Sequence, residues 1–298
     1  MLVSISVITY NSSKYILDTL ESVKAQTYPN LELVISDDCS TDNTIDLCKD
    51  WVKKNENRFV NTKIVVAPQN HGISANYNQG MDNCSGEYIK EIAGDDILLP
   101  NCVEDYVNFV AAHPQAYFCF GKAEVFDGDE ERRKMAREVW FNYDFFSLSH
   151  NEQLTWLYES SNPICSATYF YNREKAIEYG IRNDEEVPFV EDWPKWIHIL
   201  EAGQTMYFLP KAVAKYRLSS TSLSTQHQST LFWDKQKAIF SLKYIIPYRI
   251  KKNKRKGWRM KQYALNTIQP IWWRTLLLNS YEFCASISRK LLRKNEFN

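Results

Sequence analysis

A chain of 298 residues with 36 basic and 36 acidic side chains, 44% apolar and 24% charged, is long enough for one large domain or two small ones and too apolar for wholesale disorder. The zero formal charge hides an asymmetry: residues 1–233 carry 20 Lys and Arg against 33 Asp and Glu (−13), while residues 234–298 carry 16 against three, Asp234, Glu282 and Glu296 (+13). Only 9 glycines are present and neither G-x-G-x-x-G nor G-x-x-x-x-G-K-[ST] occurs, which argues against glycine-loop dinucleotide and P-loop chemistry.

Leu2–Ile8 is apolar and β-branched and predicts a buried strand. Asn11 to Ser13 then offer cap oxygens to a helix marked by Ile16, Leu17, Leu20 and Val23, which stops before Pro29. Leu31–Ser36 predicts a second strand, Asp42–Lys54 a helix, Lys63–Ala67 a third strand and Ile73–Asn83 another helix. Glu87–Ala93 is a fourth strand, ending at Gly94-Asp95-Asp96. Alternation at this spacing implies right-handed crossovers and an α/β fold with a mainly parallel sheet. Asn101–His113 continues as a helix and Ala116–Gly121 as a strand, while 122–150 reads as a polar, acidic and then aromatic excursion. Ala167–Tyr171, Glu174–Tyr179, Trp193–Ala202, Thr205–Pro210 and Ala212–Lys215 resume the alternation. Beyond Thr230 the composition turns aromatic and basic with helical spacing, so a boundary falls near 225–230: a body of 1–228, with halves of about 1–121 and 122–228, and a helical extension of 229–298.

Seven cysteines (39, 48, 84, 102, 119, 165, 284) form no C-x-x-C pair and follow no secretory signal, which predicts reduced, mostly buried thiols and a cytoplasmic setting. No apolar stretch reaches membrane-spanning length, and the run near Ile271–Leu278 is broken by Arg274.

In an open parallel sheet, ligands gather at the carboxyl ends of the strands. Thr9-Tyr10-Asn11, Asp37-Asp38, Asn70-His71-Gly72 and Asp95-Asp96 each follow one of the first four predicted strands. Singly they read as helix caps or Asx turns; four in register predict a polar, acidic crevice. Adjacent carboxylates repel, and a hard divalent cation bound through oxygen relieves that repulsion. Mg²⁺ or Mn²⁺ held by one or two carboxylates completes its shell with water and substrate phosphates, so the crevice predicts a phosphorylated substrate bound through metal.

The ordered motifs carry a resemblance. Ser4-Ile5-Ser6-Val7-Ile8-Thr9-Tyr10-Asn11, Ser36-Asp37-Asp38-Cys39-Ser40-Thr41-Asp42, the Asn70–Gly80 segment (N-x-G-x-x-x-A-x-N-x-G in that family), Ile92-Ala93-Gly94-Asp95-Asp96, Glu191-Asp192-Trp193 and Tyr216-Arg217 together resemble family 2 glycosyltransferases over roughly residues 3–220. The resemblance implies a GT-A (Rossmann-like) fold, a nucleotide-sugar donor, most often UDP-linked, Mn²⁺ or Mg²⁺, and inversion at the anomeric carbon. It implies that Thr9, Tyr10, Asn11, Asn70, Gly72 and Asn76 belong to the nucleotide-sugar site. Asp38 would take the uracil imide proton, Asp95 would face ribose or sugar, Asp96 would hold the metal, and Arg217 would neutralise the departing diphosphate. Asp192 would be the general base, with Glu191 and Trp193 on the acceptor side. Two departures stand out: Ala93-Gly94 replace the first acid of D-x-D, and Ser219 stands where some members place a histidine.

Glu191-Asp192 before Trp193-Pro194 also reads as a helix cap, a role compatible with catalysis because an Asp near its reference pKa of about 3.9 is ionised at neutral pH. Trp193 and Trp196 divide between sugar stacking and core packing, and the five histidines show no metal-ligand spacing. Seven basic residues lie from Lys251 to Lys261, with Trp258 among them and Tyr263, Trp272, Trp273, Tyr281 and Phe283 following. A solvated face is the ordinary reading; residues 249–298 also suit an interfacial helix on anionic lipid of the inner leaflet, whereas nucleic-acid binding is disfavoured by the acidic body. The resemblance adds a glycan acceptor, lipid-linked, in surface polysaccharide (O-antigen or capsule) synthesis at the inner face of the cytoplasmic membrane. The rivals are a nucleotidyltransferase, whose glycine-rich loop is missing, and a non-catalytic carbohydrate- or membrane-binding scaffold.

Overall fold

The computed structural model describes residues 1–188, 190–218 and 230–268. The chain divides into two compact units, Met1–His227 and Gln228–Asn298. In the first, β1 (Val3–Thr9), β2 (Leu31–Asp37), β3 (Asn61–Val66) and β4 (Tyr88–Ala93) run parallel in the order β3-β2-β1-β4. Their registers pair Thr9 with Asp37, Asp37 with Val66 and Ile8 with Ala93, so four carboxyl ends finish in one row. The intervening helices are α1 (Ile16–Lys24), α2 (Thr44–Asn55) and α3 (Ile73–Asn83).

Every residue of β1 and β2 is buried, as in parallel strands covered on both faces. Val3, Ile5 and Val7 join Leu31, Leu33 and Ile35 against Ile16, Leu20 and Val23 of α1 and Cys48 and Trp51 of α2. On the opposite face α3 lies unusually close, because Gly80 meets Ser6: a Cβ at Gly80 would stand 2.4 Å from Ser6 Oγ and 2.9 Å from Ile8 Cδ1. Ser6, in an otherwise apolar strand, thus admits a helix, while Ser4 Oγ accepts Gly86 N at 2.8 Å beyond the end of α3.

The second half of the sheet is antiparallel at its junctions. After β5 (Ile97–Leu98) and α4 (Cys102–Ala112), β6 (Phe118–Phe126) leads through α5 (Glu130–Trp140) and α6 (His150–Glu159) to β7 (Phe170–Asn172), α7 (Arg173–Glu178), α8 (Asp192–Glu201) and β8 (Met206–Arg217). β7 pairs antiparallel with both β4 and β6, β6 runs parallel to β8, and β5 closes the edge antiparallel to β8. The predicted strand ending at Gly121 extends to Phe126 because β8 supplies a partner as far as Arg217. The two predicted strands Thr205–Pro210 and Ala212–Lys215 are one. Pro210, which has no N–H to donate, sits where the β6–β8 register shifts. The predicted excursion 122–150 is therefore strand as far as Phe126 and mostly helical after it, α5 being capped by Asp129 accepting from Arg132 N at 2.8 Å.

The second unit holds α9 (Thr230–Phe240), a π-helical turn (Ser241–Ile245), α10 (Ile246–Lys252) and α11 (Lys254–Ile268). Ala238, Ile246 and Ala264 form its small core. Gly257 lets α11 cross α10, since a Cβ there would come within 2.5 Å of Ile250. No helix among the described residues is long and apolar enough to cross a membrane. Ser219, Trp272, Trp273, Tyr281 and Phe283, all singled out by sequence, lie outside the described residues.

Candidate active site

The loops after β1 and β2 are stapled together by their own polar side chains. Asn11 takes a left-handed φ of 49°, its N–H donates to Ser40 Oγ at 2.8 Å, and its Oδ1 accepts from Thr41 N at 2.8 Å. Ser12 N reaches Thr44 Oγ1 at 2.8 Å, and Ser13 N reaches Asp42 Oδ2 at 3.1 Å. Asp42 also accepts from Thr44 N at 3.0 Å, at the start of α2. Burial alone would raise its carboxyl, but the bonds from Ser13 and Thr44 outweigh that and hold it low. Between these staples Tyr10 stands out into solvent, 47% exposed. The caps of α1 and α2 fall at Tyr15 and Asn43 instead of Asn11 and Asp42, whose side chains fix the rim's shape by joining the two loops.

Asp38 is nearly buried at the head of α3, where its two oxygens accept the N–H groups of His71 and Gly72, each at 2.8 Å. A carboxylate at a helix N-terminus is favoured by both the unpaired donors and the dipole. One lone pair on each oxygen remains for a ligand. Asn70, exposed, closes an Asx turn onto Gly72 N at 3.1 Å. Asn76 lies beneath this surface, with its amide donating to Thr9 O at 3.0 Å and accepting from Ser36 Oγ at 2.7 Å. It clamps α3 to β1 and β2 and is not presented to a nucleotide. Thr9 is likewise inside: it continues the Val3, Ile5, Val7 face of β1, is 2% exposed and packs against Gly94.

The Asp95-Asp96 pair divides its labour. Asp96 is buried, its Oδ1 accepting Arg217 N at 2.8 Å and its carbonyl accepting Thr19 Oγ1 at 2.8 Å. Burial, then the neighbouring Asp95, pushes its carboxyl well above the usual range. Asp95 is half-buried and raised too, first by desolvation, with Arg217 opposing. The accessible carboxylate of the pair is therefore Asp95, and Asp96 is the floor. Arg217 is engaged within the protein: Nε donates to Asp95 O at 2.7 Å, its two terminal nitrogens pair with Asp127 and Asp18, and its guanidinium lies over the rings of Tyr15 (4.2 Å) and Phe126 (4.4 Å). At 7% exposure it brackets the rim from behind rather than facing a diphosphate.

Across from this rim, Asp192 opens α8 and Glu191 precedes it. Asn162 Nδ2 donates to Asp192 Oδ2 at 2.7 Å, while Asn162 Oδ1 accepts Ile164 N at 3.1 Å. Desolvation pushes Glu191 up to about 8, helped by Asp192. Asp192 is also raised, chiefly by desolvation, against the opposing bond from Asn162 and charge of Lys195. An Asp at its ordinary value was the expectation from sequence; enclosure at the crevice wall changes it. Trp193 is pinned by Nε1 donating to Leu157 O at 2.9 Å, and Trp196 is core, edge-on to Phe120 at 4.9 Å. The acidic groups converge on buried Tyr77, whose hydroxyl is pushed well above its usual value by burial and then by Glu191, Glu91, Asp96 and Asp192.

Sequence reasoning missed four residues here. Asn162 orients Asp192, Glu91 and Lys195 form a buried ion pair behind it (3.0 Å), and Asn78 ties the approach to Glu191 onto α3. Lys195 lies three residues along the helix from Asp192, a spacing that was readable. Among the described residues no three His, Cys, Asp or Glu side chains gather as a metal cage. An accessible carboxylate at Asp95 fits a hard cation that takes most of its shell from diphosphate and water.

Residues 4–180 match the family model described as glycosyl transferase family 2. TuaG of Bacillus subtilis, whose name assigns it provisionally to teichuronic acid biosynthesis as a glycosyltransferase, is 27% identical over 224 residues, 75% of this chain and 82% of its own. EpsH of the same organism, provisionally named a glycosyltransferase, is 33% identical over 234 residues, covering 77% and 64%. Among solved structures, Staphylococcus aureus TarS 1–349 in complex with UDP-GlcNAc superposes at TM-score 0.63 with 20% identity, covering 90% of this chain and 72% of that one. Of the longer TarS chain, 43% is spanned. The Pyrobaculum calidifontis mannosyltransferase PcManGT with GDP-Man and Mn²⁺ gives TM-score 0.58 at 15% identity, covering 95% and 80%. At these identities the structural likeness is one of fold.

Proposed function

The chain belongs to glycosyl transferase family 2, a glycosyltransferase of GT-A fold, and from that premise we propose that it transfers a sugar with inversion from a UDP-linked donor to a hydroxyl of a glycan acceptor. The observation that carries this reading is the family match over residues 4–180, on a fold in which Asn78 of α3, the helix headed by Asp38, also ties down the segment leading to Glu191 and Asp192. Asp192, oriented by Asn162, takes the proton of the acceptor hydroxyl as its oxygen bonds to the anomeric carbon. The bond to the diphosphate breaks with its electron pair on the leaving oxygen. Desolvation raises both carboxyls, and on Asp192 the bond from Asn162 and the charge of Lys195 favour the ionised form that a base requires. The exposed Tyr10 ring suits the face of the nucleobase. Mn²⁺ or Mg²⁺ at Asp95 would offset charge on the diphosphate.

The TuaG and TarS likenesses favour a UDP-linked donor and an acceptor in a cell-surface polymer, which we extend to a lipid-linked glycan of O-antigen or capsule type. The enzyme is proposed to work at the inner face of the cytoplasmic membrane, held to anionic lipid by the basic residues of 249–298. A thermal-shift panel of nucleotide-sugars with and without Mn²⁺ identifies the donor. Asp192→Asn is then expected to lower turnover by about 10²–10⁴-fold while donor binding survives; unchanged turnover overturns the base assignment.

A further inference from the structure

Behind the Glu191–Asp192 pair lies a charge network that the transfer described above does not use. Lys195 and Glu91 are each 4% exposed, with Nζ 3.0 Å from Glu91 Oε2. The other oxygen of Glu91 accepts the Tyr171 hydroxyl at 2.8 Å. The rings of Tyr169 (4.8 Å), Tyr77 (5.2 Å) and Trp196 (5.3 Å) enclose the ammonium and keep water away. A buried ion pair is a poor source of stability, because desolvating both charges cancels most of their attraction. Its place in the fold suggests another use. Lys195 follows Asp192 by three positions and Glu191 by four on the same face of α8, and Glu91 lies on β4, four residues before Asp95.

We propose that Lys195 is a positioning residue for the transfer: its ammonium, anchored by Glu91 inside an aromatic wall, supplies a fixed positive charge to the Glu191–Asp192 pair and keeps one of the two carboxyls free of its proton. The pair is otherwise surrounded by groups that favour the neutral acid. Tyr77 on α3, Cys165 in the turn before β7 and Glu91 on β4 contribute burial or negative charge. Asn162 bonds one oxygen without adding charge. Lys195 opposes the desolvation of both carboxyls, and on Glu191 it outweighs Glu91. The benefit to catalysis rests on Asp192 being the base; the charge effect on the pair does not.

The two members of the ion pair are predicted to act in opposite directions. Glu191 is raised from about 4.5 to about 8, so the stability it contributes is full below pH 4.5 and is lost as pH rises towards 8. Thermal melts from pH 4.5 to 9.5 read that loss without any substrate, and Glu191→Gln should flatten it. Lys195→Met removes the cation and should move the upper end of the fall upward by about one pH unit. Glu91→Gln removes an anion and should move it downward. A merely structural role makes both variants less stable at every pH and leaves the endpoint in place, which overturns the proposal, as does displacement of both in one direction. If either single variant fails to fold, Lys195→Met/Glu91→Gln leaves no uncompensated charge and should show a smaller upward displacement; none at all overturns the proposal. In turnover, the acidic limb for UDP release from the donor selected by the binding panel should rise by about one pH unit in Lys195→Met with KM for donor unchanged. Activity surviving in Asp192→Asn would instead sink the base reading, while the melts still decide the role of Lys195.

Discussion

Gly72 shows how much one residue does at the rim. Its φ of 92° lies where side chains with a Cβ are strained, and an added Cβ would stand 3.1 Å from Pro188 Cβ. Gly72→Ala should cost on the order of 1–3 kcal/mol and weaken donor binding, because Gly72 N–H is one of the two donors that orient Asp38. A melt and a donor titration read the two effects separately. Gly72 was legible in the sequence as part of a motif, although its reason, a left-handed turn beneath Pro188, was not. Thr9 was misread for want of a rule already in hand. Side chains alternate across a strand, so Thr9 shares the face of Val3, Ile5 and Val7 and points into the core. Arg217 was different, since nothing local announces that Asp18, Asp127 and two rings assemble around it from distant parts of the chain.

At the scale of elements, α3 is the joint between the two sides of the site. The two residues leading into it receive Asp38, its Asn76 clamps β1 and β2, and its Asn78 holds the segment leading to Glu191. Asn78 donates to Asn183 O (3.0 Å) and Glu185 (2.8 Å) and accepts Asn183 N (3.0 Å), and Asp82 binds Arg182 with both oxygens. Asn78→Ala, which strips three bonds at a buried position, should cost about 1–3 kcal/mol and lower kcat more than it raises donor KM. Asp82→Ala removes an exposed pair and should cost at most about 1 kcal/mol with kcat intact. Melts and UDP-release kinetics on both variants give the comparison. The first four strands and their helices were readable because each is a short apolar run bounded by caps and turns. β6 and β8 were not, because Lys122–Phe126 becomes a strand only through the partner that β8 supplies, and Pro210 divides in sequence what the bulge rejoins in space.

For the molecule as a whole, opposed charges are spread along the chain, −13 to residue 233 and +13 beyond it. In the described part of the second unit, Lys251, Lys252, Lys256 and Arg259 are exposed, and Trp258 is 51% exposed with Lys261 Nζ 4.8 Å from its ring centroid. A tail of this kind should float with phosphatidylglycerol vesicles at low salt and be released at high salt, since surface attraction fades within a Debye length. Retention in the soluble fraction at low salt would sink the membrane proposal. The charge split was plain arithmetic on the sequence. The turn of the sheet from parallel to antiparallel at β7 was hidden, because three residues of strand carry no periodicity to read.

The carboxylates seated at the heads of α2 and α3 also bear on what the rim will refuse. Asp42 and Asp38 already occupy backbone donors at the start of two helices, the places where a bare phosphate would settle most readily. Inorganic phosphate therefore finds these seats taken. On the proposed function, a spent nucleoside diphosphate is expected to be retained only while its own charge is offset, so the acids that shape the entrance for donor would also help clear the exit for product.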